Sequence, residues 1–276
     1  MGDVGDGQLA PSLAEASRDA DPIVRAAAVS AAGRVAGAEA ITRAGAGDAD
    51  AGVRRAALEA TAGRPEGAAL DEEALVHDRW PLVRHAAADA LGSRCVDGRS
   101  AASPSLLRAV AGEGKQMNGA DDSEEVRRAA LAALGRCREV PLAALAAVLS
   151  ERRQPVSVRE LAAALVARQA GGEAARALAS ALDDALADAA RDESLVGLAV
   201  ACTRALARTA DRSRPVLLAL GEAANEPLSP SVRAAAMDTI GRLCPDGAAE
   251  ALHKGERDPD ATVVRAARSA LERCHR

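Results

Sequence analysis

One phrase recurs along this chain: a valine, an arginine at the next position or the one after, and paired alanines on the following turn. It stands at Val24-Arg25, Val53-Arg54, Val83-Arg84, Val126-Arg127, Val158-Arg159, Val232-Arg233 and Val263-Val264-Arg265. The valines are 29, 30, 43, 32, 74 and 31 residues apart. The 74-residue interval spans about two ordinary periods, with a degraded copy between Glu193 and Ala207. A chain with a period near thirty residues folds as stacked units. Each unit is too small to bury its apolar face alone, so it buries it against its neighbours.

Composition says what those units are. About a quarter of the 276 residues are alanine, and leucine, arginine and glutamate are also abundant, all strong helix formers. There is no Phe or Tyr and a single Trp, so the core must be Ala, Leu and Val with closely packed helices. Each period reads as two helices. The second, B, carries the phrase, with apolar residues at i, i+4 and i+8 such as Val126, Ala130 and Leu134. Asp21-Pro22, Ser229-Pro230 and Asp258-Pro259 read as B-helix N-caps followed by proline, and Gly92, Gly135 and Gly241 as stop signals. The first helices, A, are expected at 9–18, 38–44, 68–77, 104–111, 142–151, 173–187, 215–224 and 248–255. The prediction is an all-α solenoid of about eight hairpins over residues 1–276, with a Gly-rich polar insertion near 112–123.

The Asp/Ser-Pro starts, the Val-Arg-x-x-Ala phrase and the Leu-Gly close resemble HEAT repeats. More narrowly they are similar to the bacterial HEAT-like repeats associated with phycobiliprotein lyases. The bias to arginine over lysine, with only Lys115 and Lys254 present, fits a G+C-rich bacterial genome. The resemblance implies a scaffold binding a protein partner along the concave face lined by B helices. It also implies that Arg25, Arg54, Arg84, Arg127, Arg159, Arg233 and Arg265 form a structural ladder with the acids before the B helices, Asp21, Asp50, Asp78, Asp122 or Asp258. The alternative it raises is a lyase-like, chromophore-handling role or another HEAT-type enzyme subunit.

For the partner site the chain offers the outward stripe of helix B and its lone aromatic residue. Trp80, His85, Asp89, Arg128, Arg136 and Arg168 are the candidates, since tryptophan and arginine anchor many interfaces. Catalysis is not expected. The four histidines are scattered, and the HEAT-like deoxyhypusine hydroxylases carry iron on His-Glu pairs, a dipeptide missing here. HEAT-like DNA glycosylases need a basic, aromatic-lined face, whereas this chain has net charge −5. No cofactor, metal or nucleic acid is expected. Five cysteines without a CxxC pair (Cys95, Cys137, Cys202, Cys244 and Cys274) read as small buried hydrophobes in a reducing compartment. The polar segment 1–8 lacks a basic, apolar leader pattern and no 18-residue apolar run occurs, so a cytoplasmic protein that does not enter membranes is the expectation. Oligomeric state, and whether the chain belongs to a longer protein, stay open.

Overall fold

The computed structural model describes residues 6–95, 104–111, 123–169 and 171–275, with the side chains of 6–8 left aside. The expected insertion at 112–123 lies outside the described residues except for Ser123. Among the described residues there are sixteen α-helices, one short 3₁₀ turn at Pro65–Gly67 and no β-strand. The chain divides into two compact units, Met1–Val140 and Pro141–Arg276.

In the first unit the hairpins are α1 (Asp6–Ala16) with α2 (Pro22–Ala32), α3 (Glu39–Gly45) with α4 (Ala51–Thr61), α5 (Ala68–His77) with α6 (Pro81–Ser93), and α7 (Pro104–Ala111) with α8 (Glu124–Leu134). The second unit pairs α9 (Leu142–Ser150) with α10 (Val156–Val166), α11 (Gly172–Ala189) with α12 (Leu195–Thr209), α13 (Arg214–Ala224) with α14 (Pro230–Leu243), and α15 (Ala248–Gly255) with α16 (Ala261–Cys274). Even-numbered helices are the B helices. Each packs on the next one in its unit: α2 on α4, α4 on α6 and α6 on α8, then α10 on α12, α12 on α14 and α14 on α16.

The phrase explains this packing. Val53, Val83, Val126, Val158, Val232 and Val263 are all at most 1% exposed. In α12, which lost the phrase, Leu198, Cys202 and Leu206 keep the spacing and are fully buried. Val24 departs from the pattern at 38% exposed, in the first hairpin. The core is aliphatic throughout, as a chain with one exposed aromatic residue requires.

Two of the expected stop glycines do something else. Gly92 and Gly241 lie inside α6 and α14, while Gly135 follows α8 as its C-cap. A Cβ on Gly92 would stand 2.7 Å from Ala133 Cβ of the next B helix, and a Cβ on Gly33 2.6 Å from Ala60 Cβ. A Cβ on Gly241 would run into Ala270, backbone included. The glycine nine residues after one anchor valine therefore receives the alanine seven residues after the next. Gly241→Ala should lower the stability of the second unit by about 2 kcal/mol through overpacking, read from denaturant unfolding. An unchanged midpoint would mean that α14 and α16 do not approach so closely.

The cysteine expectation is overturned for four of the five. Cys95 is bonded to Cys137, and Cys244 to Cys274, with Cα separations of 4.5 and 5.5 Å. Each pair sits at the C-terminal ends of consecutive B helices, α6/α8 and α14/α16. The reason is the repeat itself. All four occupy one place, eleven or twelve residues after the anchor valine, and stacking makes equal places in successive hairpins neighbours. Cys202 lies at a different place inside α12 and is free and buried, its thiol pushed up to about 12 by burial.

Candidate functional site

Three of the seven repeated arginines, Arg25, Arg54 and Arg233, fork onto a carboxylate of the next hairpin, with a different wiring from the expected one. Of the acids expected as their partners, Asp78 and Asp258 do receive an arginine, whereas Asp21 and Asp50 are N-caps: Asp21 accepts the Ile23 N–H at 2.8 Å, and Asp50 accepts the Gly52 N–H at 2.8 Å. The ladder carboxylate stands two residues earlier. Asp48 accepts the Asp50 N–H, Asp78 the Trp80 N–H and Asp258 the Asp260 N–H, all within 2.8–2.9 Å. Asp258 is therefore not the cap of α16, which is Asp260.

Each of these carboxylates also receives an arginine from the hairpin before it. Arg25 Nε and Nη2 donate to the two oxygens of Asp48, both at 2.9 Å. Arg54 forks onto Asp78 at 2.6 and 3.0 Å, and Arg233 onto Asp258 at 2.7 and 3.0 Å. The third nitrogen, Nη1, turns back to carbonyls ahead of its own helix, Asp48 O for Arg54 and Glu226 O for Arg233. One side chain thus fixes the start of its own B helix and the start of the next. The side chains of the Arg54 and Arg233 pairs are 10–12% exposed, so these charge-assisted forks act in a partly desolvated setting. The arginine beside them holds the Asp48 and Asp258 carboxyls below their usual range.

Of the remaining four arginines, Arg159 and Arg265 depart from this rung. Arg84 is buried and donates to Asp78 O at 2.9 Å, and the acid expected beside Arg127, Asp122, lies outside the described residues. Arg159 is buried but reaches back to Leu149 O at 2.8 Å. Arg265 is exposed and does not belong to the ladder. In α16 the fourth residue after the N-cap, where the other helices carry the arginine, is Val264. Arg265 lies one residue further and so about 100° around the helix.

Three of the six partner-site candidates meet in one cluster. Arg136 Nη2 donates to Asp89 Oδ1 at 2.9 Å from the next B helix, and His85 lies 3.4 Å from Asp89 across a turn of α6. The second unit repeats the Arg–Asp contact at the same places, Arg273 donating to Asp238 at 2.7 Å, and there Arg242, rather than a counterpart of His85, also donates to Asp238, at 3.0 Å. Both clusters flank a disulfide and a Gly/Ala contact, and in the first the Arg136–Asp89 pair links the ends of neighbouring B helices while His85 stays with Asp89 on α6. Sequence reasoning placed these charges on the outward stripe correctly, but missed that stripes on adjacent helices lie within reach of each other. Arg128 is exposed in the first unit and Arg168 in the second. Trp80 is the N-cap of α6 and 49% exposed, with the Arg79 guanidinium 5.8 Å from its ring centre. Leu82, two residues on, is also 49% exposed.

A buried carboxylate that sequence reasoning missed is Asp71 of α5, which is fully buried against Arg94. Arg94 in turn donates to Arg64 O at 3.0–3.1 Å. Burial pushes the Asp71 carboxyl up to about 6, with Arg94 opposing. A carboxyl raised in the folded state binds a proton that the unfolded chain has released, so stability should rise as pH falls from about 6 to 4. Asp71→Asn should remove that rise, as followed by urea midpoints across the range; an unaltered slope would place its origin elsewhere.

Among the described residues no group of three His, Cys, Asp or Glu side chains could hold a metal ion, and no helix is long and apolar enough to cross a membrane. No family model and no curated protein matches the chain. Solved structures do. The Escherichia coli protein YibA matches over 98% of this chain and 95% of its own, with 17% identity and a TM-score of 0.59. An engineered protein matches over 96% of this chain and 78% of its own, with 16% identity and a TM-score of 0.53. Together with the helix order, these matches place the fold in the HEAT-type class of helical hairpin solenoids.

Human deoxyhypusine hydroxylase, in complex with glycerol, also matches over 98% of this chain and 97% of its own, at 17% identity and a TM-score of 0.42. That finding corrects the expectation that the chain is no enzyme, because an enzyme stands among its structural neighbours. At this distance the match assigns no reaction to the chain.

Proposed function

We propose that the chain is a HEAT-type scaffold that binds a protein partner through the B-helix face of its first unit. The observation that carries this reading is the apolar edge at the start of α6. Trp80 and Leu82 are each 49% exposed, while the anchor Val83 between them and the helix body is fully buried. Arg128 is exposed on α8 of the same unit, adding a cation for an acidic partner. A tryptophan with one free face supplies a large contact at little entropic cost, which is why it anchors interfaces. His85, Asp89 and Arg136 are left out of this surface, because Asp89 pairs with each of the other two.

The two disulfides bear on where such a scaffold works. Bonds of this kind persist in oxidising compartments, and they replace the reducing setting inferred from unpaired cysteines. An oxidising compartment is therefore part of the proposal.

Trp80 is the only tryptophan, so its emission reports on its surroundings directly. Partner capture from the native host should shift that emission to the blue. Trp80→Ala should weaken capture roughly thirtyfold, as expected for an interface anchor worth about 2 kcal/mol. Full capture by Trp80→Ala, with an unmoved wild-type emission, would reject this face.

A further inference from the structure

In the second unit one rung of the arginine ladder stands open. Arg159 of α10 occupies the ladder place, directly after the anchor Val158. Asp192 occupies the acid place, two residues before the N-cap Ser194, and accepts the Ser194 N–H at 3.0 Å as the other ladder acids do for theirs. The two are nevertheless not paired. The anchor of α12 is Leu198, six residues after Asp192, whereas Val53, Val83 and Val263 follow their acids by five. That extra residue moves the carboxylate out of reach. Arg159 and Asp192 instead line a common cavity of about 280 Å³, with Leu195 and Val156 on its wall.

The charges around this cavity are unevenly served. Arg152 donates to Asp184 and Asp188, each at 2.8 Å, and Arg191 lies 3.3 Å from Asp188. Asp192 also accepts the Ser194 hydroxyl at 2.6 Å. Arg159 is 4% exposed, and its one hydrogen bond among the described residues is Nε–H to Leu149 O. Its Nη1 and Nη2, which in the closed rungs meet a carboxylate or a carbonyl, have no such partner. Burial holds this guanidinium below its usual range, the direction opposite to the paired Arg54 and Arg233. A buried guanidinium with two free donors is poised for a planar, two-oxygen anion.

The neighbouring acids narrow the choice. Asp184, Asp188 and Asp192 would repel a dianion such as phosphate, yet can accept from a donor placed next to a singly charged carboxylate. The cavity lies at the small end of ligand sites, and its aliphatic wall suits a short side chain. We infer that the open rung between α10 and α12 is a binding site for a carboxylate carrying an N–H group on the adjacent carbon. That chemistry belongs both to a free α-amino acid and to the C-terminal residue of a peptide.

The test is calorimetric titration of the full chain, in phosphate-free chloride buffer, with alanine, N-acetylalanine and inorganic phosphate. Saturable binding of alanine identifies the free amino acid, and of N-acetylalanine the peptide terminus. Either should fall at least tenfold in Arg159→Gln. If that variant does not fold, Arg159→Lys is read instead, since lysine keeps the charge but cannot fork. Undiminished binding by the variant, saturation by phosphate alone, or no saturable binding would overturn the assignment. So would an Asp192→Asn variant destabilised as much as Asp258→Asn, because the rung would then be closed in solution.

Discussion

Reducing the two disulfides should destabilise each unit by about 4 kcal/mol, the largest effect expected of any change to this chain. Cys95–Cys137 spans 42 residues and Cys244–Cys274 spans 30, and chain-entropy arguments give nearly the same figure for both loops. The bonds join helix ends that already meet. Gly92 faces Ala133 and Arg136 reaches Asp89 beside one disulfide, and Gly241 faces Ala270 and Arg273 reaches Asp238 beside the other. Loss of the bond should therefore loosen the unit without changing which helices are neighbours. Urea unfolding with and without reductant reads the loss. The Cys95→Ser/Cys137→Ser pair should reproduce it for the first unit only, since unit two keeps its own bond. Equal midpoints with and without reductant would show that the bonds add nothing to folding.

The second large effect is expected at the ladder. Arg54→Ala strands the Asp78 carboxylate and removes two donors at 2.6 and 3.0 Å, with both side chains close to 10% exposed. Removing one partner of such a pair costs about 3 kcal/mol, because the remaining charge keeps its desolvation without compensation. Arg54→Lys should recover less than half, since an ammonium cannot serve both oxygens and Asp48 O together. Exposed pairs such as Arg55–Glu59, 3.4 Å apart on α4, set the contrast, and breaking that one should cost at most a few tenths of a kcal/mol. Acid should act on the ladder in the opposite sense to Asp71. The Asp48 and Asp258 carboxyls are lowered by their arginines, so their stabilisation is present above the unfolded carboxylate range and is lost as pH falls through their folded values.

Much of the architecture was legible in the residues, because the repeat expresses it locally. Periodicity placed the A helices at 68–77, 104–111 and 248–255 where the structure has them, and the other A-helix boundaries shift by at most three residues. Caps and amphipathic stripes involve residues within one turn of each other, which a sequence displays directly. What escaped was contact between hairpins. Asp48 and Asp50 are equally plausible partners for a nearby arginine until the backbone shows that Asp50 caps its own helix and Asp48 faces backward. Gly92 and Gly241 look like helix ends, but their meaning lies in the alanine of the following repeat. Arg265 looked like a ladder member because its phrase matches, although an extra valine turns it outward. The cysteines carried the clearest unused signal. Two side chains at one repeat position are neighbours in any stack, so equal spacing from the anchor marked pairs as well as packing. The candidate partner residues divide for the same reason: Asp89 of α6 reads as an outward charge until Arg136, after α8, is seen to reach it.

Peptide mapping of the unreduced protein tests the stacking most directly. Equal positions of consecutive hairpins should be found joined, Cys95 to Cys137 and Cys244 to Cys274, leaving Cys202 as the single thiol, reactive only after unfolding. Five free thiols in the oxidised protein, or a bond joining Cys202 or linking one pair to the other, would contradict the register on which every inter-hairpin contact described above depends.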